Sequence, residues 1–136
     1  MLPIEVPYRY KTDIFGGTVC NPVLVVEVAI QSGYQPFEFL LDSGADCTIV
    51  PRGMAKLIGV TLPRIADASL AGIGPKSMAA YRSSLNLRIQ QEEFVVECLI
   101  TRSDTVPFLL GRVDFFDLFN VAFDNRNQII ILDKLR

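Results

Sequence analysis

An all-β domain, a small closed or nearly closed β-barrel with one or two short helices, is the fold class this sequence predicts. Three observations carry it. Short runs rich in β-branched and aromatic residues recur at regular spacing, separated by glycine, proline and asparagine turns. Only two stretches, 52–58 and 112–119, space their apolar residues as a helix does. The 136 residues show no composition shift, repeat or low-complexity segment, which fits one domain spanning 1–136.

Taken in order, residues 2–10 alternate weakly through Ile4, Val6 and Tyr8, and Pro3 and Pro7 confine them to an edge strand. Phe15-Gly16-Gly17 and Asn21-Pro22 mark a loop. Residues 23–31 form a strand that Ser32-Gly33-Tyr34 turns into a second one over 37–41. Thr48-Ile49-Val50 is a short strand stopped by Pro51, and Met54, Leu57 and Ile58 then take helical spacing until Gly59 ends the helix. Residues 60–66 read as extended. Ala71-Gly72-Ile73-Gly74-Pro75 reads as a hairpin tip, with a return strand over 78–89 and its partner over 94–100 after a turn at Gln90-Gln91. Residues 107–111 are a short apolar strand ending at glycine. Phe115, Phe116 and Phe119 suggest a short amphipathic helix over 112–119, and a hairpin around Asn125-Arg126-Asn127 closes the chain.

Composition removes whole classes of function. Half of the residues are apolar and 21% are charged, which excludes a disordered chain, yet no apolar run approaches membrane length. The apolar excess is therefore expected in a subunit interface, with no membrane partner. Thirteen basic and fifteen acidic residues are well mixed, and without a basic stripe no nucleic-acid partner is expected. No signal peptide is visible at the N-terminus. Three widely spaced cysteines, Cys20, Cys47 and Cys98, make neither a disulfide framework nor a zinc site, and they suit a reducing, cytoplasmic location. With no histidine, every His-dependent triad and His-containing zinc site is excluded, and no metal or other cofactor is expected. The chemistry left is that of carboxylates, thiols, hydroxyls and lysine.

The chemically informative stretch is Phe39-Leu40-Leu41-Asp42-Ser43-Gly44-Ala45-Asp46-Cys47-Thr48-Ile49-Val50-Pro51. A carboxylate sits at a tight turn between two apolar strands, where burial is costly unless it is hydrogen-bonded. Gly44 lets the backbone turn and another segment approach, and the Ser43 hydroxyl can donate and accept. Taken alone, Asp-Ser-Gly is a common turn tripeptide, so Asp42 can also be read as a satisfied turn aspartate.

Three landmarks in order narrow the reading: Asp42-Ser43-Gly44-Ala45-Asp46, then Ala71-Gly72-Ile73-Gly74, then Leu109-Leu110-Gly111-Arg112. Together they resemble the retropepsins, the single-lobe aspartic proteases of retroviruses and their cellular and microbial relatives, over about residues 23–132 on the element lengths above. The resemblance implies a retropepsin-like acid-protease barrel. It makes Asp42 the catalytic aspartate, has Ser43 bond across to the partner subunit's equivalent loop, and has Gly44, Ala45 and Asp46 meet the substrate. Gly72, Ile73 and Gly74 become the tip of a flap over the peptide. Leu110, Gly111 and Arg112 support the site, with Arg112 pairing Asp46. Two features depart from the viral pattern: Pro75 follows the flap tip, and the extra length lies mainly in the first 22 residues.

Aspartic protease chemistry uses two carboxylates sharing one proton, and this chain has a single Asp-Ser/Thr-Gly. A symmetric homodimer, giving one Asp42 per chain, is the expected solution. The expected partner is a peptide or protein substrate, held extended between flap and floor with apolar subsites; Val50, Ile73 and Leu109 are the expected walls. The alternative is a catalytically silent retropepsin-like dimerisation or peptide-binding module, since fold does not dictate activity.

Overall fold

The computed structural model describes residues 2–71 and 77–135. Its elements run β1 (Ile4–Pro7), β2 (Arg9–Thr12), β3 (Thr18–Asn21), β4 (Val23–Ile30), β5 (Gly33–Leu41), β6 (Thr48–Val50), α1 (Gly53–Ile58), β7 (Ala68–Ala71), β8 (Ser77–Ile89), β9 (Glu92–Thr101), β10 (Leu109–Leu110), β11 (Phe119–Asp124) and β12 (Ile129–Lys134). Six strands, in the order β4-β5-β10-β6-β9-β8, close into a barrel through pairing of β4 with β8. This is the expected class. A three-stranded sheet, β1-β12-β11, brings the two ends of the chain together, and among the described residues β2 and β3 pair only with each other.

Period-two patterning explains the barrel. Leu24, Val26 and Val28 of β4, Leu85, Leu87 and Ile89 of β8, and Phe94, Val96, Cys98 and Ile100 of β9 are all buried, while the residues between them are more exposed. Phe115 and Phe119 pack their rings 5.9 and 5.2 Å from that of Phe94 and join the terminal sheet to the same apolar cluster. The closing seam is short, with Glu27 opposite Arg88 and Val28 opposite Leu87. Arg88 reinforces it: Nε and a terminal nitrogen donate to the two Glu27 carboxylate oxygens at 3.0 and 2.9 Å. The same guanidinium lies 4.0 Å from the centre of the Tyr34 ring.

Three sequence expectations change. Residues 9–21, read as the end of an edge strand and a loop, form the β2–β3 hairpin, with Phe15-Gly16-Gly17 at its tip. The helix expected over 112–119 is instead a wide irregular turn. Val113 (φ −68°, ψ 126°) and Asp114 (φ 66°) leave helical geometry, and Phe119 already begins β11. Bonds to distant segments fix this path: the Arg112 and Val113 N–H groups donate to the Ala45 and Asp46 carbonyls, and the Asp114 carboxylate accepts from the Glu97 N–H at 2.9 Å. Residues 60–66 carry no strand. The expected hairpin appears as β7 and β8, paired up to Ala71 opposite Ser77, but its tip, including Gly72, Ile73 and Gly74, lies outside the described residues.

Candidate active site

The floor of the site is built where three strands converge. Short β10 lies between β5 and β6, parallel to the first and antiparallel to the second, with Leu109 opposite both Leu40 and Ile49. This inserts the strand from 109–110 between two segments that are near neighbours in sequence. It holds the end of β5 from one side: the Leu40 N–H donates to Phe108 O at 2.8 Å and the Asp42 N–H to Leu110 O at 3.0 Å. On the other side the Leu41 N–H donates to Pro22 O at 2.7 Å. Asp42 therefore emerges from a strand end fixed on both flanks.

Beyond it the chain closes a tight turn. Asp42 Oδ1 accepts the Gly44 N–H at 3.0 Å, and the Asp42 carbonyl accepts the Ala45 N–H at 3.1 Å. A Cβ on Gly44 would stand 3.2 Å from that carboxylate oxygen, so glycine permits the close approach. Among the described residues, Asp42 Oδ2 accepts no hydrogen bond. The carboxylate is oriented through one oxygen, Oδ1.

Gly111 has the strongest steric demand in the site. A Cβ there would fall 2.3 Å from both the carbonyl carbon and the oxygen of Cys47. The end of β10 thus rests on the backbone of the 42–47 loop, and the Gly111 N–H points to the buried Thr48 hydroxyl at 3.4 Å. The chain then donates from Arg112 N–H to Ala45 O at 2.9 Å and from Val113 N–H to Asp46 O at 2.8 Å. These two main-chain bonds replace the expected Arg112–Asp46 ion pair, which does not form among the described residues. Both side chains are exposed, so water solvates them separately at little cost.

Above this floor opens a cleft of about 820 Å³. Asp42, Gly44, Ala45 and Asp46 line it together, and Ser43 is exposed beside them. Leu109 lines a wall as expected. Val50 does not: it is fully buried, and strand alternation puts Ile49 at the cleft in its place. Sequence reasoning missed Ser69, Leu70 and Met78, which come from the two legs of the β7–β8 hairpin, Thr101, paired with Ala80 of β8, and Val106 and Pro107. The alternation of β8 could have placed Met78 on one face, but no local signal brings 106–107 to Asp42. Cys47 also lines the cleft, where burial and the Asp46 charge raise its thiol pKa; Cys98, deeper under the floor, is pushed up to about 12, chiefly by burial. Neither thiol is an activated nucleophile.

Comparison with known proteins agrees with this geometry. A family model described as aspartyl protease matches residues 26–113. Among solved structures, a retropepsin-like aspartic protease from Rickettsia conorii superposes with a TM-score of 0.63 at 16% identity, covering 96% of this chain and 89% of that one. The EIAV protease, solved in complex with the inhibitor HBY-793, gives a TM-score of 0.53 at 17% identity, covering 68% of this chain and 82% of that one. At such identities the likeness is one of fold. No curated protein matches the chain.

Proposed function

Because this chain belongs to the aspartyl protease family and has a retropepsin-like fold, we propose that it is an endopeptidase, working as a homodimer of 136-residue domains that each supply one Asp42. One observation carries the reading: a single aspartate, oriented through one oxygen by Gly44 and, among the described residues, free at the other, lining an open cleft. Two such loops facing each other across a two-fold axis complete the site. Their carboxylates share one proton, because like charges at hydrogen-bond distance do not both ionise easily, and the resulting pKa values belong to the pair. The ionised carboxylate takes a proton from a water as it attacks the scissile carbonyl, and the protonated one donates to the carbonyl oxygen. Collapse of the tetrahedral intermediate breaks the C–N bond, with a proton delivered to the leaving amine.

The floor limits how substrate can bind. The Ala45 N–H and carbonyl are both engaged within the chain, so Ala45 packs against the peptide. Main-chain recognition falls to the Gly44 carbonyl and to the N–H and carboxylate of Asp46. An extended peptide lies between this floor and the β7–β8 hairpin, with Gly72, Ile73 and Gly74 closing over it. Ile49, Leu70, Met78 and Leu109 make its subsites apolar. Ser43 bonds to the partner subunit's loop, while Leu110, Gly111 and Arg112 hold the floor in register.

The test is cleavage of an unfolded protein across pH ~3–8, a window bracketing a split carboxylate pair, with wild type and Asp42→Asn at several concentrations. We expect cleavage that disappears in the variant and rises faster than linearly with enzyme in the range where dimers dissociate. A folded wild-type dimer that is silent at every pH would overturn the reading in favour of a peptide-binding or dimerisation module.

A further inference from the structure

Hairpin β2–β3 is the part of the chain for which catalysis gives no reason. Its base is anchored firmly. The Tyr8 hydroxyl donates to Asn125 Oδ1 at 2.8 Å, the Tyr8 N–H donates to Gln128 O at 2.9 Å, Tyr10 bonds the Gln128 side chain and Arg9 pairs with Glu38 of β5. Arg9 and Tyr10 belong to β2 and form its anchored end, yet all four residues of the strand are exposed. The tip is nonetheless ordered by hydrogen bonds. Asp13 Oδ1 accepts the N–H groups of Phe15 and Gly17 at 2.7 and 3.0 Å, and the Asp13 N–H donates to Gly17 O at 2.9 Å. On this rigid turn Ile14 and Phe15 stand 92% and 89% exposed. Two large apolar side chains displayed on a hydrogen-bonded turn in water are an interface element in waiting, because little main-chain entropy remains to be lost when they are covered.

We propose that this hairpin is an arm that docks, through Ile14 and Phe15, on a second copy of this chain. The inference rests on the dimeric reading above and adds to it. Its argument is one of reach. The hairpin springs from Pro22, whose carbonyl binds the N–H of Leu41, one residue before Asp42. Two Asp42 carboxylates that share a proton lie within about 3 Å of each other. A second copy placed so comes to the very base of the arm, whose four-residue strands extend about 13 Å at the usual rise of ~3.3 Å per residue. An arm that starts beside the partner can lay its tip on it, and two-fold symmetry then makes the contact twice. The extra N-terminal length then has a role: it clasps the dimer from outside the cleft.

Sedimentation equilibrium of wild type and the double variant Ile14→Ser/Phe15→Ser, with cleavage followed on the same samples, tests this. We expect the dimer dissociation constant to rise at least tenfold, while cleavage per dimer is unchanged at concentrations that restore the dimer. The chain contains no tryptophan, so Phe15→Trp supplies a single reporter whose emission should shift to the blue along the dimerisation curve. An unchanged dissociation constant, or emission that stays water-like in the dimer, overturns the arm and leaves the protease reading standing. A wild type that stays monomeric and inactive throughout overturns both. Binding of wild type, but not the double variant, to phosphatidylcholine–phosphatidylserine vesicles with the dimer unaffected would make the tip a membrane anchor and likewise overturn the proposal.

Discussion

Two turns in this molecule are built from the same local chemistry and set in opposite surroundings. In each, an aspartate accepts main-chain N–H bonds within a few residues of itself: Asp42 from Gly44, and Asp13 from Phe15 and Gly17. The difference lies in what surrounds them. Asp42 follows a buried strand whose end is pinned from both sides, spends one hydrogen bond on orientation and sits in a cleft. Asp13 follows a fully exposed strand, and its carboxylate serves the turn while the side chains beside it are set out in water. An aspartate turn by itself thus carries no chemistry; the strands that deliver it decide whether the carboxylate or its neighbours are the groups presented.

The largest expected effect comes from breaking the floor's carboxylate. Asp42→Asn keeps an Oδ1 acceptor for Gly44 and so should preserve the turn, while peptide cleavage falls by about a thousandfold or more, as loss of a general base and acid implies. Melting temperature and cleavage rate, measured together, read the two consequences separately. A large loss of stability with this variant would mean that the charge holds the loop, and the contrast between the turns would collapse.

Gly111→Ala comes next. Its methyl group would meet Cys47 backbone at 2.3 Å, and main chain cannot yield as a flexible side chain can. We expect a loss of about 3 kcal/mol and with it most of the activity, because the displaced loop carries Asp42. Differential scanning calorimetry and the cleavage assay check it. A stable, active Gly111→Ala would show that the floor is looser than its contacts indicate.

The two regions also differed in how legible they were. Asp42-Ser43-Gly44 and Leu110-Gly111 stand at the ends of strongly apolar strands, so burial patterns exposed them without any knowledge of pairing. The barrel strands β4, β8 and β9 were visible for the same reason. Strand β2, Arg-Tyr-Lys-Thr, buries no residue, so it has no hydrophobic alternation to read, and its pairing with β3 arises from local register alone. The 112–116 turn misled in the other direction. Phe115 and Phe119 are both buried, which fits helical spacing, but the chain brings them inward by a looped path fixed through Ala45, Asp46 and Glu97. Those contacts are distant in sequence, as is the insertion of β10 between β5 and β6 that makes the floor. Period reveals which side faces inward; it does not reveal which neighbour takes a hydrogen bond.

Asp13→Ala is the counterpart of the first variant at the exposed turn. It removes the acceptor for the Phe15 and Gly17 N–H groups and should lower the melting temperature by only about 3–5 °C, the scale of a lost cap in a chain this size. Cleavage per dimer should not change, since the tip is remote from the cleft lining. Measured against Asp42→Asn, the two turns should show opposite profiles: activity lost and stability kept at one, stability trimmed and chemistry kept at the other.

The smallest effect sharpens a further contrast, between a floor fastened by main-chain bonds and a barrel seam fastened by an ion pair. The Arg88 guanidinium, hydrogen-bonded to Glu27, holds that carboxyl below its usual range, against an opposing contribution from burial. A carboxyl whose folded pKa is depressed adds stability that is complete above the unfolded value, near ~4.3, and that disappears as pH falls through the folded one. The seam should therefore be indifferent to pH between ~5 and 8 and weaken only in acid. Melting curves of wild type and Glu27→Gln should run a constant distance apart over that range and converge below ~pH 4. Both partners are about a third exposed, so the gap will be small. A gap that persists undiminished into strong acid would mean that packing of Arg88 over Tyr34, rather than its charge on Glu27, closes the barrel.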